Sequence, residues 1–263
     1  MRLLAFETAT EACSVALWVD GALTARHEVA PRRHAELALP WAEALLADAG
    51  LARSQIDAIA VGRGPGAFTG VRLAVSVAQG IALALDRPVV PVSTLATLSM
   101  RALAADGEAP VADAAPGGSG RAEDAGTVPD AHGRWILAAI DARMGEVYVG
   151  AFRTDAGLVI AASPEAVLAP TAVRPPDDVP AGVRWTGVGT GFAASDGALR
   201  VHLDARLRSV DAEALPHAAD VARLAVAAYA RGEAVDAGQL QPAYLRDNVA
   251  RTSAEQQAFR DAR

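Results

Sequence analysis

The residues of this chain most able to do chemistry stand at the ends of two short apolar runs. Glu7-Thr8-Ala9-Thr10 closes the first run and offers a carboxylate and hydroxyls. Such a set can surround a nucleotide-bound magnesium ion, and it fits equally a hairpin turn whose hydroxyls bond the local backbone. The second run, Ile56 to Val61, leads into Gly62-Arg63-Gly64-Pro65-Gly66, then Thr69 and Gly70. Backbone amides in such a turn can cradle a phosphate against the start of the next helix. Alternatively, the glycines let a strand turn sharply and a helix pack close. Glu7, Thr8, Thr10, Gly64, Gly66 and Thr69 are the candidate nucleotide or phosphate loop. No Gly-Lys-Ser/Thr follows, and Pro65 with the glycine spacing breaks the dinucleotide fingerprint.

Other reactive residues are sparse. Asp141 and Glu146 lie across a turn, as paired carboxylates or as solvated strand ends. The histidines are His27, His34, His132, His202 and His217, and no two have the i, i+4 spacing that lets a helix hold one metal. There is no G-x-S-x-G. Cys13, the single cysteine, excludes an internal disulfide and reads as a small buried hydrophobe in a strand. The net charge of -7 argues against a chain that grips nucleic acid by itself. All 24 basic residues are arginine, which reads as genome composition rather than a phosphate-binding set.

The elements that must position these groups come in two similar halves. With 263 residues and a hydrophobic fraction of 52%, the chain can bury a substantial core, as one large domain or two small ones. Leu3 to Glu7, Cys13 to Val19 and Leu23 to Val29 read as strands, the last two joined by an Asp20-Gly21 hairpin turn. From His34 to Gly50 the period is helical, with Leu37, Trp41 and Leu45 on one side and Gly50 as the terminating residue. Thr69 is the expected N-cap of a helix running to Leu85. That helix is apolar nearly all round and must be covered on more than one side. It is interrupted by Arg72, Ser76 and Gln79 and falls short of a membrane span. Pro88 to Val92 reads as a strand and Leu95 to Ala104 as a short helix. The second half restarts with strands at Trp135 to Asp141, Glu146 to Arg153 and Leu158 to Ala162. Then come a strand at Trp185 to Val188 and a helix over Asp211 to Gly232 that Pro216 starts or interrupts. The division is 1–104, a low-complexity insertion or linker over 105–133, 134–247, and a polar tail over 248–263. No signal peptide is visible, so the reading is cytoplasmic.

Three segments carry a resemblance. Leu3-Leu4-Ala5-Phe6-Glu7-Thr8-Ala9-Thr10, Arg33-His34-Ala35-Glu36 with Leu39-Pro40, and Gly64-Pro65-Gly66-Ala67-Phe68-Thr69-Gly70-Val71-Arg72 resemble the TsaB family. This is the YeaZ-like, non-catalytic relative of TsaD in the machinery that makes threonylcarbamoyladenosine in tRNA. The match continues loosely through Ile140 to Tyr148 and at Pro242 to Arg246. It implies an α/β fold of the ASKHA type, actin-like and RNase H-like, with two lobes of mixed five-stranded sheets flanked by helices. The catalytic relative follows its related strand and turn with an asparagine–histidine–x–x–x–histidine metal segment. Laid on this chain, those histidines fall at Thr94 and Leu98, and leucine cannot bind a metal. The glycine stretch Gly187 to Gly191 is also shorter than the relative's adenosine-binding motif.

The resemblance therefore implies an accessory subunit without catalytic or metal residues. It would pair with a TsaD-like subunit and recruit a TsaE-like ATPase, reaching tRNA and ATP or ADP only through the complex. Leu37, Trp41 and Leu45 from one helix, with Val71, Val75 and Ala78 from the next, are the expected partner interface, and the same surface allows a homodimer. Two other readings stand beside it: a glycoprotease-like metallopeptidase, and a nucleotide-sensing module acting through Glu7 to Thr10 and the Gly62 turn.

Overall fold

The computed structural model describes residues 1–104, 134–176, 179–180 and 182–246. The insertion read over 105–133 and the tail read from Asn248 lie outside the described residues. The first half contains β1 (Arg2–Glu7), β2 (Ala12–Val19), β3 (Ala22–Val29), α1 (His34–Asp48), β4 (Ala58–Gly62), α2 (Phe68–Leu85), β5 (Val89–Val92), α3 (Thr94–Ser99) and α4 (Arg101–Ala104). The second contains β6 (Trp135–Arg143), β7 (Glu146–Asp155), β8 (Leu158–Ala161), β9 (Ala166–Leu168), β10 (Trp185–Val188), α5 (Ala194–Leu203), β11 (Leu207–Asp211) and α6 (Ala218–Ala230).

The two sheets have one topology. The first runs β3-β2-β1-β4-β5 and the second β8-β7-β6-β10-β11, with β9 adding to β7. In each, an antiparallel meander supplies three strands, and two further strands join its first strand in parallel. The chain is thus an α/β protein of the ASKHA type, its halves repeating a pattern rather than a sequence. Parallel neighbours require a crossover, and α2 and α5 supply helical ones between β4 and β5 and between β10 and β11.

Strand alternation assigns the layers. Leu4 and Phe6 of β1 face α1 and α2 together with Val15, Ile59 and Val61. Leu3 and Ala5 face α6, where Ala218, Ala222 and Ala225 present a smooth surface. The second sheet packs α5 on one face through Leu199 and Leu203. Its other face carries α3 through Leu95 and Leu98. A helix that follows a strand of the first sheet therefore lies on the second.

Several elements differ from expectation. α2 begins at Phe68 with Ala67 as its N-cap, so Thr69 is an exposed residue of the first turn and caps nothing. A regular crossover into α2 is made instead by Ala67 N–H donating to Ala9 O at 2.7 Å. The helix expected from Asp211 begins at Ala218. Asp211 Oδ1 accepts the Glu213 and Ala214 amides at 3.0 Å, turning the chain out of β11. After Pro216, the His217 ring caps the helix by accepting from Ala219 N–H at 3.1 Å. The Leu95 to Ala104 helix is broken into α3 and α4. Among the described residues, α2 alone is long and apolar enough to cross a membrane, with 18 residues and a mean hydropathy of 1.6. Its Ala74, Val75, Ala78 and Ala82 lie in the core against the first sheet, as in a core helix.

Candidate functional site

Glu7 ends β1 and is fully buried. Ala9 N–H donates to its Oε1 at 2.8 Å, and the Thr94 hydroxyl donates to its Oε2 at 3.1 Å. Thr94 Oγ1 in turn accepts from Gly64 N–H at 3.1 Å, and Thr94 N–H donates to Gly64 O at 2.9 Å. Loss of hydration outweighs these bonds and pushes the Glu7 carboxyl up to about 7 from an ordinary 4.5. Gly62 sits directly over it: a Cβ there would lie 1.9 Å from Oε2. Thr94 is therefore the residue that ties the end of β1 to the glycine turn. In the sequence Glu7 and Thr94 stand out for different reasons, and no local pattern joins them.

The glycine turn is occupied by its own chain. The Arg63 amide donates to Val92 O, Gly64 to Thr94 and Ala67 to Ala9. Gly70 and Gly66 lack a Cβ because the backbone of the β1–β2 turn passes there: an added Cβ would lie 2.1 Å from Thr8 O at Gly70 and 2.4 Å from Ala9 O at Gly66. The Thr8 hydroxyl donates to Gly70 O at 2.7 Å. Close packing against the β1–β2 turn thus accounts for Gly66 and Gly70. Thr10 is the exception in the set: its hydroxyl is buried without a hydrogen-bond partner.

Leu98, one turn beyond Thr94, is fully buried against the second sheet. A Cβ on Gly189 would lie 2.5 Å from its Cδ2, so the glycine at the end of β10 makes the room that the leucine fills. Beside them, the Ser93 hydroxyl caps α3 by accepting from Ala96 N–H at 3.1 Å and donates to Glu165. Burial pushes the Glu165 carboxyl above its usual range, against the pull of that hydrogen bond. Among the described residues, no three His, Cys, Asp or Glu side chains are grouped to hold a metal ion.

The helices chosen as a partner surface present other residues than those expected. Leu45, Val71, Val75 and Ala78 are buried in the chain's own core, and Leu37 and Trp41 are half-buried against it. The outer stripe of α2 carries Thr69, Ser76, Gly80 and Leu83, with half-buried Leu73 between them. Asp141 and Glu146 do not pair: Asp141 holds Arg143 at 2.7 Å, and Glu146 holds Arg246.

The comparisons with known proteins agree with one another. The family model described as TsaD, tRNA N6-adenosine threonylcarbamoyltransferase, matches residues 26–254. The tRNA threonylcarbamoyladenosine biosynthesis protein TsaB of Escherichia coli is 39% identical over 252 residues, covering 95% of this chain and 96% of its own. The chain belongs to the TsaB family. The Haemophilus influenzae TsaB is 35% identical, with 95% of each chain covered. Among solved structures, YeaZ from Pseudomonas aeruginosa superposes with a TM-score of 0.75 at 43% identity, covering 93% of this chain and 99% of that one. A second Pseudomonas aeruginosa structure, described as similar to peptidase YeaZ, gives 0.77 at 44%, with the same coverage.

The TsaB-like ending Pro242 to Arg246, which spacing alone left without a role, is a strap between the halves. Ala243 N–H donates to Arg63 O at 2.8 Å, and the Tyr244 hydroxyl accepts from Arg72 Nε at 3.0 Å. Arg246 donates to Ala142 O at 3.2 Å and pairs with Glu146 on the far side.

Proposed function

We propose that this chain is an accessory subunit in the formation of threonylcarbamoyladenosine in tRNA, with no catalytic centre of its own. The observation that carries the reading is the pair Thr94 and Leu98. Where the catalytic relative holds its metal, this chain has a threonine engaged with Glu7 and Gly64 and a leucine packed under Gly189. Neither side chain is free to take a ligand. The TsaB-named relatives, which carry the biosynthesis in their names, support the assignment to that modification.

In this reading the subunit docks a TsaD-like partner on the outer faces of α1 and α2, and the pair recruits a TsaE-like ATPase. tRNA, ATP and ADP are reached through the complex, and the chain works in the cytoplasm. Exposed Leu39, Phe68 and Leu83 support that face, since large apolar side chains near small residues such as Ser76 and Gly80 suit close helix contact. The same face would close on a second copy when the partner is absent.

The test is reconstitution of the modification from its purified components with tRNA, ATP, bicarbonate and threonine. Omitting this chain is expected to abolish modified adenosine, and this chain alone is expected to yield none. Product formed at full rate without it would overturn the accessory role. Leu83→Asp is expected to weaken binding to the TsaD-like partner by at least about tenfold, equivalent to about 1.4 kcal/mol, with its melting temperature unchanged. The peptidase reading finds no support in Ser14 and His217, which lie 3.5 Å apart. Ser14 is fully buried with its hydroxyl donating to Arg26 O, and the His217 ring nitrogen is engaged as a helix cap.

A further inference from the structure

The second sheet gathers positive charge at the end where β10 and β11 begin. Arg184 immediately precedes β10, and Arg206 closes the turn just before β11. Trp185 pairs with Leu207, so the two arginines sit on neighbouring parallel strands at the same end of the sheet. Arg174 joins them, and all three line one cleft of about 750 Å3. Arg174 Nη1 donates to Thr171 O at 2.6 Å and to Val173 O at 2.9 Å, which fixes the guanidinium 2.7 Å from His202 Nε2 on α5. None of the three arginines has a carboxylate partner among the described residues, not even Asp204 in the turn before Arg206. Like charges this near repel one another, yet the chain as a whole carries -7 and has carboxylates to spare. The rest of the lining offers an anion few other donors. Pro175, Pro176 and Pro180 have no N–H, and the Val179 and Val183 amides are engaged with Pro176 O and Pro180 O at 3.3 and 3.2 Å. The lining contains no aromatic residue and no methionine. It thus has neither a platform on which a base could stack nor a large apolar anchor for a protein.

We propose that this end of the second sheet binds the phosphate backbone of a folded RNA without reading its bases. A guanidinium fork matches two phosphate oxygens at once, and three forks carried by separate elements can follow successive phosphates of a strand. RNA double helices are held largely through such backbone contacts, which position the RNA and do not choose its sequence. The role assigned to Arg174, Arg184 and Arg206 is therefore orientation of the RNA body. The inference rests on the accessory-subunit reading for the source of the RNA: this chain meets tRNA inside the complex, whose other members supply the remaining contacts. The site lies at the opposite end of β10 from Gly189, about 13 Å of strand away, and it shares no residue with the junction between the halves or with the outer face of α2.

The test is titration of labelled tRNA with the complex of this chain and its TsaD-like partner, across about 50 to 200 mM salt. The Arg184→Gln, Arg206→Gln double variant is expected to weaken tRNA binding about tenfold and to flatten the plot of log affinity against log salt by nearly 2, one phosphate contact for each arginine. Both residues are exposed, so melting curves and binding to the partner are expected to stay unchanged. Arg153→Gln, an exposed arginine of β7 outside the cleft, is the control and is expected to leave affinity within about twofold. An RNA hairpin of unrelated sequence is expected to lose affinity on the double substitution by the same factor as tRNA. Affinity and salt slope untouched by the double variant overturn the proposal while leaving the accessory reading standing. So does an equal loss from Arg153→Gln, which would reduce the effect to overall charge. Polyglutamate displacing tRNA as well as the hairpin does at equal charge also overturns it, marking a surface for acidic protein. If no complex with the TsaD-like partner forms, the accessory reading fails, and the same titration of the chain alone at about 50 mM salt decides the site. Asp177 and Asp178 stand in the same loop, outside the described residues. If they satisfy the arginines, the double variant changes nothing, and the proposal falls by the first criterion.

Discussion

The two halves reach the same junction with opposite chemistry. In the first sheet, β1 and β4 are paired up to Phe6 and Val61, and the next residues are Glu7 and Gly62. In the second, β6 and β10 are paired up to Ala138 and Val188, and the next residues are Ala139 and Gly189. Each half thus ends its paired strands with a glycine opposite the first strand. Gly62 makes room for a buried carboxyl, while Gly189 makes room for the Ala139 carbonyl and the Leu98 side chain. The difference teaches what the duplicated fold holds fixed. It keeps the glycine, because two backbones converge there, and leaves the filling of the space to the particular half. The α3 helix reaches both fillings: Thr94 completes the polar one and Leu98 the apolar one.

Substitution of the two glycines should separate them most strongly. Gly189 has φ +104°, and an added Cβ would lie 2.4 Å from the Ala139 carbonyl, which cannot move without shifting β6. Gly189→Ala is expected to cost at least about 4 kcal/mol or to prevent folding. At Gly62 the three atoms nearest an added Cβ all belong to the Glu7 side chain. Gly62→Ala is expected to cost about 3 kcal/mol, and most of that should return in the Gly62→Ala, Glu7→Ala double variant. Urea denaturation of the four-member cycle measures the coupling. Additive losses at Gly62 and Glu7 would break the contrast drawn between a side-chain clash and a backbone clash.

Leu98→Ala comes next. It empties a fully buried site between α3 and the second sheet, and the expected loss is about 2–4 kcal/mol, because Gly189 offers no side chain to collapse into the space. Leu98→His is expected to destabilise by a similar amount and to bind no divalent metal. Thr94 remains tied to Glu7 and Gly64, and an imidazole at 98 would be buried without a polar partner. Metal titration followed by melting curves checks both expectations.

Much of this frame was legible in the chain. Asp20 and Gly21 both adopt positive φ, which is why that dipeptide announces its hairpin. The meanders follow from alternation, and α1 from its period and from Gly50, whose φ of 63° ends it. The face of α2 was not legible, because a helix apolar on every side gives no direction; only the sheet beneath it decides that Val75 and Ala78 turn inward. The strands β9 and β11 are short and half-exposed, and neighbours far along the chain define them. The Glu7–Thr94 hydrogen bond joins residues 87 apart. A local pattern can rank each as notable but cannot place one against the other.

The smallest effect sharpens the comparison most, because it isolates the carboxyl that only the first half possesses. Folded Glu7 holds its proton to about pH 7, whereas the unfolded chain releases it near 4.5. Between these values the folded state binds more protons, so this group makes stability fall as pH rises, with no further change above 7. His217 acts in the opposite sense. Burial, then the positive charge of His27, Arg101 and Arg223, holds its ring down to about 3 from an ordinary 6.5, so it makes stability fall as pH drops below 6.5. The two slopes overlap from about pH 4.5 to 6.5 and oppose each other there, each by at most about 1.4 kcal/mol per pH unit. The native protein is expected to be nearly flat across that window. Glu7→Gln, which keeps an acceptor for the Ala9 amide, should uncover the His217 slope, with stability rising toward pH 6.5. His217→Asn, which can still cap α6, should uncover the Glu7 slope, with stability falling toward pH 7. Urea midpoints measured across pH 4 to 8 decide the matter. A Glu7→Gln profile that parallels the native one would mean that the carboxyl is ionised in the fold, and the polar junction would then be an ion held by Thr94 and the Ala9 amide rather than a neutral acid.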